Sequence, residues 1–407
     1  MILSVSWRNV WRNKLRSLVV ILAIALGLFG SIFMIAVSNG WIEQKVDASI
    51  SNEISNIQIH DPRFLEDKSI NFTIDHADSI VHLISQTPGV KAVCKRIKTT
   101  AMASTANSGN GVIISGIIPE KEKLVTDIHQ KLVEGNYFEK RSRTSSILIS
   151  KKLAEKLKAK PGSKVVITIQ SLSGDISYGL FRVAGIYKTS NAIFDEMNVF
   201  VENHSLVELI GLDPDKTSEI AILLDNNDLT DQVSNNLKDK FKKLSVLSWK
   251  ETDPSLVAII TLMDQYSYIM IVIILFALTF GIVNAMLMSI LERTREIGML
   301  MAIGMNKRKV FMMIMMETMF LSVTGAVLGI FLSIITVGIT GKYGINFASV
   351  AEGLEALGYS AFVYPTVKTM FYIMITITVI ITAGIASIWP ARKALKLQPA
   401  SAIREDI

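Results

Sequence analysis

The sequence predicts an α-helical membrane protein with four transmembrane helices and a large α/β domain between helices 1 and 2. Half of the 407 residues are hydrophobic although 19% are charged, and the mean hydropathy is +0.40. Four stretches without charged residues each exceed the ~20 residues that a helix needs to cross a bilayer. Between the first two lie about 220 residues of mixed polarity, as expected of a folded domain.

The charge-free stretches run from Ser17 to Ile42, Gln265 to Leu291, Thr318 to Gly341 and Thr369 to Ala391. The first could instead be a signal peptide, because a basic segment precedes it and Ala36-Val37-Ser38 resembles a cleavage site. Its apolar run is too long for a usual signal peptide and three more spans follow, which favours an uncleaved helix. In the third span, Gly325 and Gly329 predict close helix packing within the bundle.

The basic residues that flank the spans predict the topology by the positive-inside rule. They precede span one, separate spans two and three, and follow span four: Arg8, Arg12, Lys14, Arg16, Arg293, Arg295, Lys307, Arg308, Lys309, Arg392, Lys393, Lys396 and Arg404. Between spans three and four lie only Lys342 and Lys368. Both termini are therefore expected in the cytoplasm, and residues 43–264 on the other side of the membrane.

The excess of basic residues follows this topology and does not indicate a nucleic-acid surface. Residues 43–264 hold 27 basic and 29 acidic side chains, whereas the rest of the chain holds 15 and 7. No cluster of basic and aromatic residues is found there, so no nucleic acid is expected as a partner. Cys94 is the single cysteine, and the histidines lack the spacing of metal ligands, so neither an intrachain disulfide nor a metal site is predicted.

The outer segment, residues 43–264, has the pattern of two βαβ units separated by an insert. The first unit is predicted as strand 56–60, helix 75–86 and strand 90–99, and the second as strand 219–224, helix 229–241 and strand 244–249. The insert, residues 111–212, contains a strand at 146–149 and a helix at 151–157. Strands 164–170 and 181–187 flank a polar tip, 171–179, which predicts a hairpin. The hairpin is either a surface loop or a docking finger for a partner.

The helices on either side of the outer segment are expected to continue beyond the membrane. After span one, apolar residues recur every four positions at Ile42, Val46, Ile50 and Ile54. Asp253 and Pro254 predict a helix start with Asp253 as N-cap, and the apolar pattern then continues to about Leu291. This helix is ~57 Å long at 1.5 Å per residue, nearly twice the ~30 Å hydrocarbon core. Both helices are therefore predicted to be rods that can transmit movement.

Between spans two and three, the sequence predicts a short charged helix from Glu292 to Ile303. Opposite charges lie three residues apart in the pairs Glu292 with Arg295 and Arg293 with Glu296. An apolar stripe follows, formed by Ile297, Leu300 and Met301. Gly304 can end this helix, and Asn306 can cap the next one.

This helix has two interpretations. It could lie under the lipid headgroups as an ordinary interfacial helix. However, acidic residues are poorly suited to an anionic leaflet, and Gly298 lowers helix stability. A protein partner that approaches closely at Gly298 explains both features better.

The stretch Glu292-Arg293-Thr294-Arg295-Glu296-Ile297-Gly298-Met299-Leu300-Met301-Ala302-Ile303-Gly304 resembles the coupling-helix motif of the MacB/FtsX/Lol superfamily of ABC transporter permeases. The tail Pro390-Ala391-Arg392-Lys393-Ala394-Leu395 is similar to the C-terminus of that superfamily, and Trp7-Arg8-Asn9 with Trp11-Arg12-Asn13 resembles its N-terminal helix. Within the superfamily, Phe194-Asp195-Glu196 and Ser248-Trp249-Lys250-Glu251 are most similar to the LolC/LolE lipoprotein-releasing permeases.

The resemblance implies a bacterial inner-membrane protein with a periplasmic domain of Porter and Sabre subdomains. The implied parts are an N-terminal interfacial helix (1–16), helix 1 (17–42), Porter-like parts (43–110 and 213–253) around a Sabre-like insert (111–212), stalk and helix 2 (254–291), coupling helix (292–304), helices 3 and 4 (318–341 and 369–391) and a cytoplasmic tail (392–407). The residues implied to contact the ATPase are Glu292, Arg293, Thr294, Arg295, Glu296, Ile297, Gly298, Met299, Leu300, Ala302 and Gly304.

The resemblance further implies a non-catalytic permease subunit that extracts lipoproteins from the outer leaflet by mechanotransmission. The sequence contains no G-x-x-x-x-G-K-[ST], so ATP and Mg²⁺ are expected in a separate, LolD-like ATPase dimer and no cofactor in this chain. A second permease, identical or paralogous, would face this one. A LolA-like periplasmic carrier would dock on the hairpin at Ser171, Leu172, Ser173, Gly174, Asp175 and Ile176.

The acyl chains of a lipoprotein need an apolar cavity that can change shape, and flexible methionines suit that role. The candidate cargo contacts are Phe33, Met34 and Val37 on helix 1 and Met263, Tyr266, Tyr268 and Met270 on helix 2. Two alternatives remain open at this point. One is MacB-like efflux of peptides or small molecules, and the other is FtsX-like transmembrane signalling to a cell-wall hydrolase.

Overall fold

The computed structural model describes residues 2–12, 14–64, 69–138, 144–356 and 359–395. Its helices are α1 (Ile2–Arg12), α2 (Lys14–Ser49), α3 (Ala77–Ser85), α4 (Pro119–Val125), α5 (Lys151–Leu157), α6 (Ala192–Met197), α7 (Asn203–Ile210), α8 (Thr230–Lys240), α9 (Trp249–Thr252), α10 (Pro254–Glu292), α11 (Thr294–Ala302), α12 (Lys307–Tyr343), α13 (Ala351–Ala356) and α14 (Thr369–Ala394). Its strands are β1 (Ile57–His60), β2 (Val90–Ser104), β3 (Gly109–Ile117), β4 (Leu132–Gly135), β5 (Ser145–Ser150), β6 (Lys164–Gln170), β7 (Ile176–Tyr187), β8 (Asn198–Glu202), β9 (Glu219–Leu224), β10 (Ser245–Ser248), β11 (Ile345–Asn346) and β12 (Phe362–Val363).

The chain divides into two compact units. The helical unit consists of Met1–Ile42, Ile260–Asn346 and Phe362–Ile407, and the α/β unit of Glu43–Ile259 and Phe347–Ala361. Among the described residues, four helices are long and apolar enough to cross a membrane: Ser17–Ile54, Pro254–Glu292, Lys307–Tyr343 and Thr369–Ala394. The predicted fold class, four apolar helices with a large α/β domain after the first, is therefore confirmed.

Within the helical unit, α2 and α12 approach each other at the two glycines that the sequence singled out. A Cβ atom on Gly325 would lie 2.9 Å from the Cβ atom of Ile24, and one on Gly329 would lie 2.8 Å from the carbonyl oxygen of Ala25. Real Cβ atoms almost never come this close to a neighbour, so glycine is needed for this helix spacing. The predicted packing within the bundle is confirmed.

The two long helices begin and end near the positions that the sequence predicts. After α2, a π-helical turn from Ile50 to Ile54 extends the helix beyond the first apolar span. The helix α10 has 39 residues and starts at Pro254. The Asp253 carboxylate accepts a hydrogen bond from the Leu256 N–H at 3.1 Å, so Asp253 caps the helix as predicted.

The two βαβ units of the α/β unit are interleaved in one sheet. Strand β1 lies between β10 and β9 and is antiparallel to both, and β9 is also antiparallel to β2. Each βαβ unit therefore has a strand of the other between its own two strands, a split βαβ arrangement. Ile84 of α3 and Leu237 of α8 pack into a common core with Ile57 and Ile220 of the sheet.

The sheet continues through the insert in the order β10-β1-β9-β2-β3-β8-β5-β7-β4, and β6 pairs with β2 and β7. β2 is longer than the predicted strand, since its first half pairs with β9 and its second half with β3. The predicted insert boundary at Gly111 falls inside β3. Apart from Met102, the residues from Thr99 to Ser104 are small or polar, so their side chains gave little strand signal, and pairing with β3 holds them extended.

The hairpin of β6 and β7 forms as predicted, but its tip is shorter than residues 171–179. The residues from Ile176 to Gly179 pair with those from Gln170 to Ile167, so β7 already begins at Ile176. In this stretch Ile176 and Tyr178 alternate with Ser177 and Gly179, which is a strand pattern that the prediction of a polar tip overlooked. The tip consists of residues 171–175, with Gly174 at a φ of +88°.

Candidate functional site

A break at Arg293 separates the long helix α10 from the short helix α11. Arg293 has φ −108° and ψ 16°, so Glu292 is the last residue of α10 and α11 begins at Thr294. The prediction that Glu292 and Arg293 form the first turn of the short helix is therefore wrong. The chain turns here because the Arg293 backbone leaves the helical region and its N–H bonds to the Ile290 carbonyl at 3.2 Å.

The other end of α11 matches the sequence prediction. Gly304 follows the helix with a φ of +96°, a conformation that glycine adopts easily, and the Met305 N–H donates to the Leu300 carbonyl at 3.0 Å. The side chain of Asn306 then accepts a hydrogen bond from the Arg308 N–H at 3.0 Å and caps α12. Two short connections therefore hold α11 between α10 and α12.

The side chain of Arg293 anchors this corner to α12. Its guanidinium donates to both carboxylate oxygens of Glu317, at 3.0 and 3.1 Å, and to Glu296 at 3.1 Å. The side chains of Arg293 and Glu317 are only 13% and 8% exposed, so the pair is close to fully buried. Both bonds to Glu317 come from the Nη1 atom of Arg293. A poorly hydrated pair of this kind fixes geometry because either charge alone is costly to bury.

The N-terminal helix α1 is joined to the same cluster. Arg12 forms an ion pair with Glu296, and this hydrogen bond together with the one from Arg293 lowers the pKa of Glu296 below its usual value despite partial burial. On the other side of α1, the Ser6 hydroxyl donates to the Met313 carbonyl at 3.2 Å, and the Trp7 ring meets the Phe320 ring edge to face. The coupling cluster, Arg12, Arg293, Glu296 and Glu317, therefore connects α1, α11 and α12.

The two faces of α11 differ in exposure. Ile297 is buried, and Leu300 and Met301 are half-buried, as the predicted apolar stripe requires. Gly298 is also buried, so the chain itself covers the glycine at which a partner was expected to approach. The exposed side chains of α11 and the residue after it lie on one face: Arg295, Met299, Ala302 and Ile303. This face is the part of α11 that is open to another protein.

The sequence predicted the Arg293–Glu296 pair but missed the two other members of the coupling cluster. Glu317 is 24 residues from Arg293, and Arg12 is 284 residues from Glu296. A carboxylate immediately before the apolar third span was the available signal for Glu317, because such a charge requires a partner. The residues Glu292 and Arg295, predicted to pair with each other, lie on either side of the break.

The predicted cargo residues are distributed along α2 and α10. Met34, Tyr266 and Tyr268 are exposed, with exposed fractions of 38%, 40% and 63%. The other four, Phe33, Val37, Met263 and Met270, are half-buried. Exposed apolar side chains on membrane helices are available to lipid, to a second chain or to a cargo, so cargo contact stays a prediction for these seven residues.

The hairpin tip is more ordered than a free docking finger. Leu172 packs against the core of the insert, and its N–H donates to the Ile210 carbonyl at 3.0 Å, so it is not available for docking. The Ser173 hydroxyl donates to the Asp175 carboxylate at 2.8 Å. Beside the tip, alternate residues of β7 form an exposed apolar row: Ile176, Tyr178 and Leu180. Docking of a carrier at this hairpin stays a prediction.

A second buried ion cluster, which the sequence did not reveal, lies in the α/β unit. Arg96 is fully buried and donates to Glu122 at 2.8 Å and to Glu219 at 2.9 Å. Lys98 also contacts Glu219, at 3.1 Å. Burial alone would raise the pKa of Glu219, but Lys98 and Arg96 outweigh it and lower this pKa to about 2. The partners are 26 and 123 residues from Arg96, so no local pattern marks them.

Four apolar helices, an α/β domain after the first and an anchored short helix between the second and third define a multi-pass membrane permease with an extracytoplasmic domain. Residues 17–240 match the MacB-like periplasmic core domain, and residues 268–399 match the FtsX-like permease C-terminal family. The chain belongs to the MacB/FtsX/Lol superfamily of ABC transporter permeases.

Two curated relatives show the range of this superfamily. The pyoverdine export ATP-binding/permease protein PvdT of Pseudomonas putida is 26% identical over 424 residues, which cover 99% of this chain and 59% of PvdT. The lipoprotein-releasing system transmembrane protein LolC of Neisseria meningitidis is 22% identical over 410 residues, 95% of this chain and 94% of LolC. The chain thus spans less than two thirds of PvdT. Among solved structures, the periplasmic region of MacB from Actinobacillus actinomycetemcomitans has 11% identity and a TM-score of 0.36, covering 52% of this chain and 97% of that one.

Proposed function

We propose that this chain is the permease subunit of an ABC transporter that extracts lipoproteins from the outer leaflet of a bacterial inner membrane. The observation that carries the proposal is the coupling cluster, which fastens α11 to α12 through the nearly buried Arg293–Glu317 pair and to α1 through the exposed Arg12–Glu296 pair. The lipoprotein cargo is supported by the similarity to LolC, which extends over nearly the whole length of both proteins. ATP and Mg²⁺ bind to the partner ATPase in this proposal.

The ATPase contacts α11 on its exposed face, which includes Met299 and Ile303. When two ATPase subunits close on ATP, they push α11, and the push passes through Arg293 to Glu317 on α12 and directly along the chain to α10. A hydrogen-bonded pair with little exposure resists such displacement better than a solvated one, since separating it leaves two buried charges. The 39-residue helix α10 then carries the movement from the cytoplasmic side across the membrane.

Two permeases, identical or paralogous, face each other in this assembly, with both termini of each in the cytoplasm. The acyl chains of the cargo lie between the periplasmic halves of α2 and α10, against the exposed side chains Met34, Tyr266 and Tyr268. The exposed row on β7 next to the hairpin tip offers an apolar edge to a periplasmic carrier, and Ile176 lies at its start.

Photocrosslinking of the full chain in the cells that produce it tests this proposal. Probes at Val37, Met263 and Tyr266 should give adducts with acylated lipoproteins, and a probe at Met299 should give an ATPase adduct. A probe at Ile385 of α14, which is 64% exposed, controls for general contact with membrane components. Lipoprotein adducts at Val37, Met263 and Tyr266 but not at Ile385 support extraction. Absence of an ATPase adduct at Met299 would contradict the coupling role of α11.

A second candidate function is efflux of a peptide or small molecule, because PvdT is as similar to this chain as LolC and aligns with 99% of it. The same experiment separates the two. Efflux predicts an ATPase adduct at Met299 without lipoprotein adducts at Val37, Met263 and Tyr266. An ATPase adduct accompanied by a cell-wall hydrolase bound to the α/β unit would instead indicate transmembrane signalling.

A further inference from the structure

The α/β unit contains a cavity of about 600 Å³ for which the transport mechanism has no use. This volume is within the range of pockets that bind small molecules. Most of its lining surface is apolar, and its five large apolar side chains come from separate segments: Ile54, Phe64, Ile113, Met197 and Leu247. The cavity therefore offers the walls of a small-molecule site.

The cavity lies where both long helices end in the α/β unit. Glu53 and Ile54 line it from the last turn after α2, and this turn is π-helical. Asp253, the N-cap of α10, lines it as well. Single π-helical turns are frequent at functional sites. A ligand in this cavity would touch the ends of both helices.

The lining carries four carboxyl groups, those of Glu53, Glu219, Glu251 and Asp253, and one ammonium group, that of Lys98. Three of the four carboxylates already have partners. Glu219 is balanced by Lys98 and by a buried arginine, Glu251 pairs with a lysine at 2.7 Å, and Asp253 caps α10. Glu53 is the exception.

Within the described residues, the Glu53 carboxylate has no hydrogen-bond or ion-pair partner, whereas its backbone carbonyl accepts a hydrogen bond from Arg96 at 2.8 Å. Burial raises the pKa of Glu53, and the nearby carboxylates of Glu219 and Asp253 add to this, although Lys98 opposes it. Glu53 is half-buried. A partly desolvated carboxylate without a partner costs stability, and groups with perturbed pKa values cluster at functional sites.

We propose that this cavity binds a small amphipathic amine, with its ammonium group on Glu53 and its apolar part against Ile54, Ile113 and Leu247. A cation is favoured because it supplies the missing partner of the one unpaired carboxylate, and an apolar body is favoured by the remaining walls. This site goes beyond the proposed function, since it lies in the α/β unit and needs no acyl chain. Its occupant is a ligand of the permease and not the lipoprotein cargo.

Equilibrium binding of dansylcadaverine, a fluorescent amphipathic primary amine, to the full chain in nanodiscs tests this inference. Saturable binding beyond that of empty nanodiscs is expected. Its neutral butylamide analogue, which lacks the ammonium group, should bind at least tenfold more weakly. Glu53→Gln removes the charge at constant size and should weaken dansylcadaverine binding at least tenfold. Thr100→Trp, at an exposed position on the cavity wall, should block binding by filling the space.

Glu134→Gln is the matched control, because Glu134 is an exposed carboxylate of the same unit outside the cavity lining. It should bind the probe as the unmodified chain does. Equal binding of the amine and its neutral analogue would overturn the inference, and so would unchanged binding by Glu53→Gln. Signal no greater than that of empty nanodiscs would mean membrane partition only and would also overturn it. None of these outcomes depends on an ATPase or a lipoprotein, so the inference can fail while the proposed function stands.

Discussion

Replacing Arg293 with methionine should release α11 from its anchor on α12. The substitution keeps much of the side-chain length but removes the guanidinium that donates to both oxygens of the Glu317 carboxylate, which is 8% exposed. Removing one member of a buried ion pair costs 3–5 kcal/mol, and partial exposure of this pair favours the lower end, about 3 kcal/mol. Since about 1.4 kcal/mol corresponds to a factor of ten, the opening equilibrium of α11 should rise about a hundredfold.

Hydrogen–deuterium exchange of the full chain in nanodiscs measures this opening. The amides of Ile297 to Ala302 should exchange about a hundredfold faster in Arg293→Met, under conditions in which exchange reports the opening equilibrium. Arg308→Met is the control, because Arg308 is an exposed arginine in the first turn of α12. It removes the same charge from the same segment and should leave α11 protection unchanged.

The double variant Arg293→Met/Glu317→Met separates the ion pair from general damage. With both charges gone, no charge remains buried, and much of the lost protection should return. The reasoning is refuted if Arg293→Met exchanges like the unmodified chain. It is also refuted if the double variant is no better protected than the single one, since the buried charge of Glu317 would then not be the cause.

Three further outcomes follow from the structure. Gly329→Ala should lower the free energy of unfolding of the nanodisc-embedded chain by about 1–3 kcal/mol, because its Cβ would meet the Ala25 carbonyl at 2.8 Å. Gly338→Ala, which has open space around its Cβ, should leave this free energy unchanged or raise it. The pKa of the Glu219 carboxyl is ordinarily 4.5 and is about 2 in the folded chain, so the stability that its ionised form contributes is complete above pH 4.5 and is lost as pH falls towards 2. The exchange protection of the β9 amides should therefore fall over this pH window. The fall should be less steep in Glu219→Gln. Because the pKa of Glu53 is raised in the folded chain, its ionisation opposes folding as pH rises through that pKa, and Glu53→Gln should raise the unfolding temperature at pH 7.5 but not at pH 4.

Local chemistry was sufficient to predict most of the elements. Val and Ile residues mark β6, a basic run opens α5, and Asp253 with Pro254 marks the start of α10. Long charge-free runs made the four apolar helices clear. In the second half of β2 most side chains are small or polar, so pairing with β3 determines the structure and the predicted boundary was wrong. At the start of β7 the predicted boundary was wrong because the alternation of Ile176 and Tyr178 with Ser177 and Gly179 was overlooked.

The candidate site was predictable only in part for the same reason. Arg293 and Glu296 are three residues apart, so helical spacing predicted their contact. Glu317 and Arg12 reach the cluster through the tertiary packing of α12 and α1, which no local pattern encodes. The cavity in the α/β unit depends on five or more separate segments meeting around Glu53, so a single sequence gives no sign of it.

The most direct test of the central claim is ATP-driven release of a lipoprotein by the reconstituted complex. The full chain is co-purified with its ATPase partner and placed in nanodiscs that carry a fluorescent triacylated lipoprotein, and transfer to a soluble carrier is measured. We expect release that requires ATP and acylation, and that falls at least tenfold in Arg293→Met while ATP binding by the partner is retained. ATP hydrolysis at the normal rate without release of the acylated lipoprotein would contradict the account.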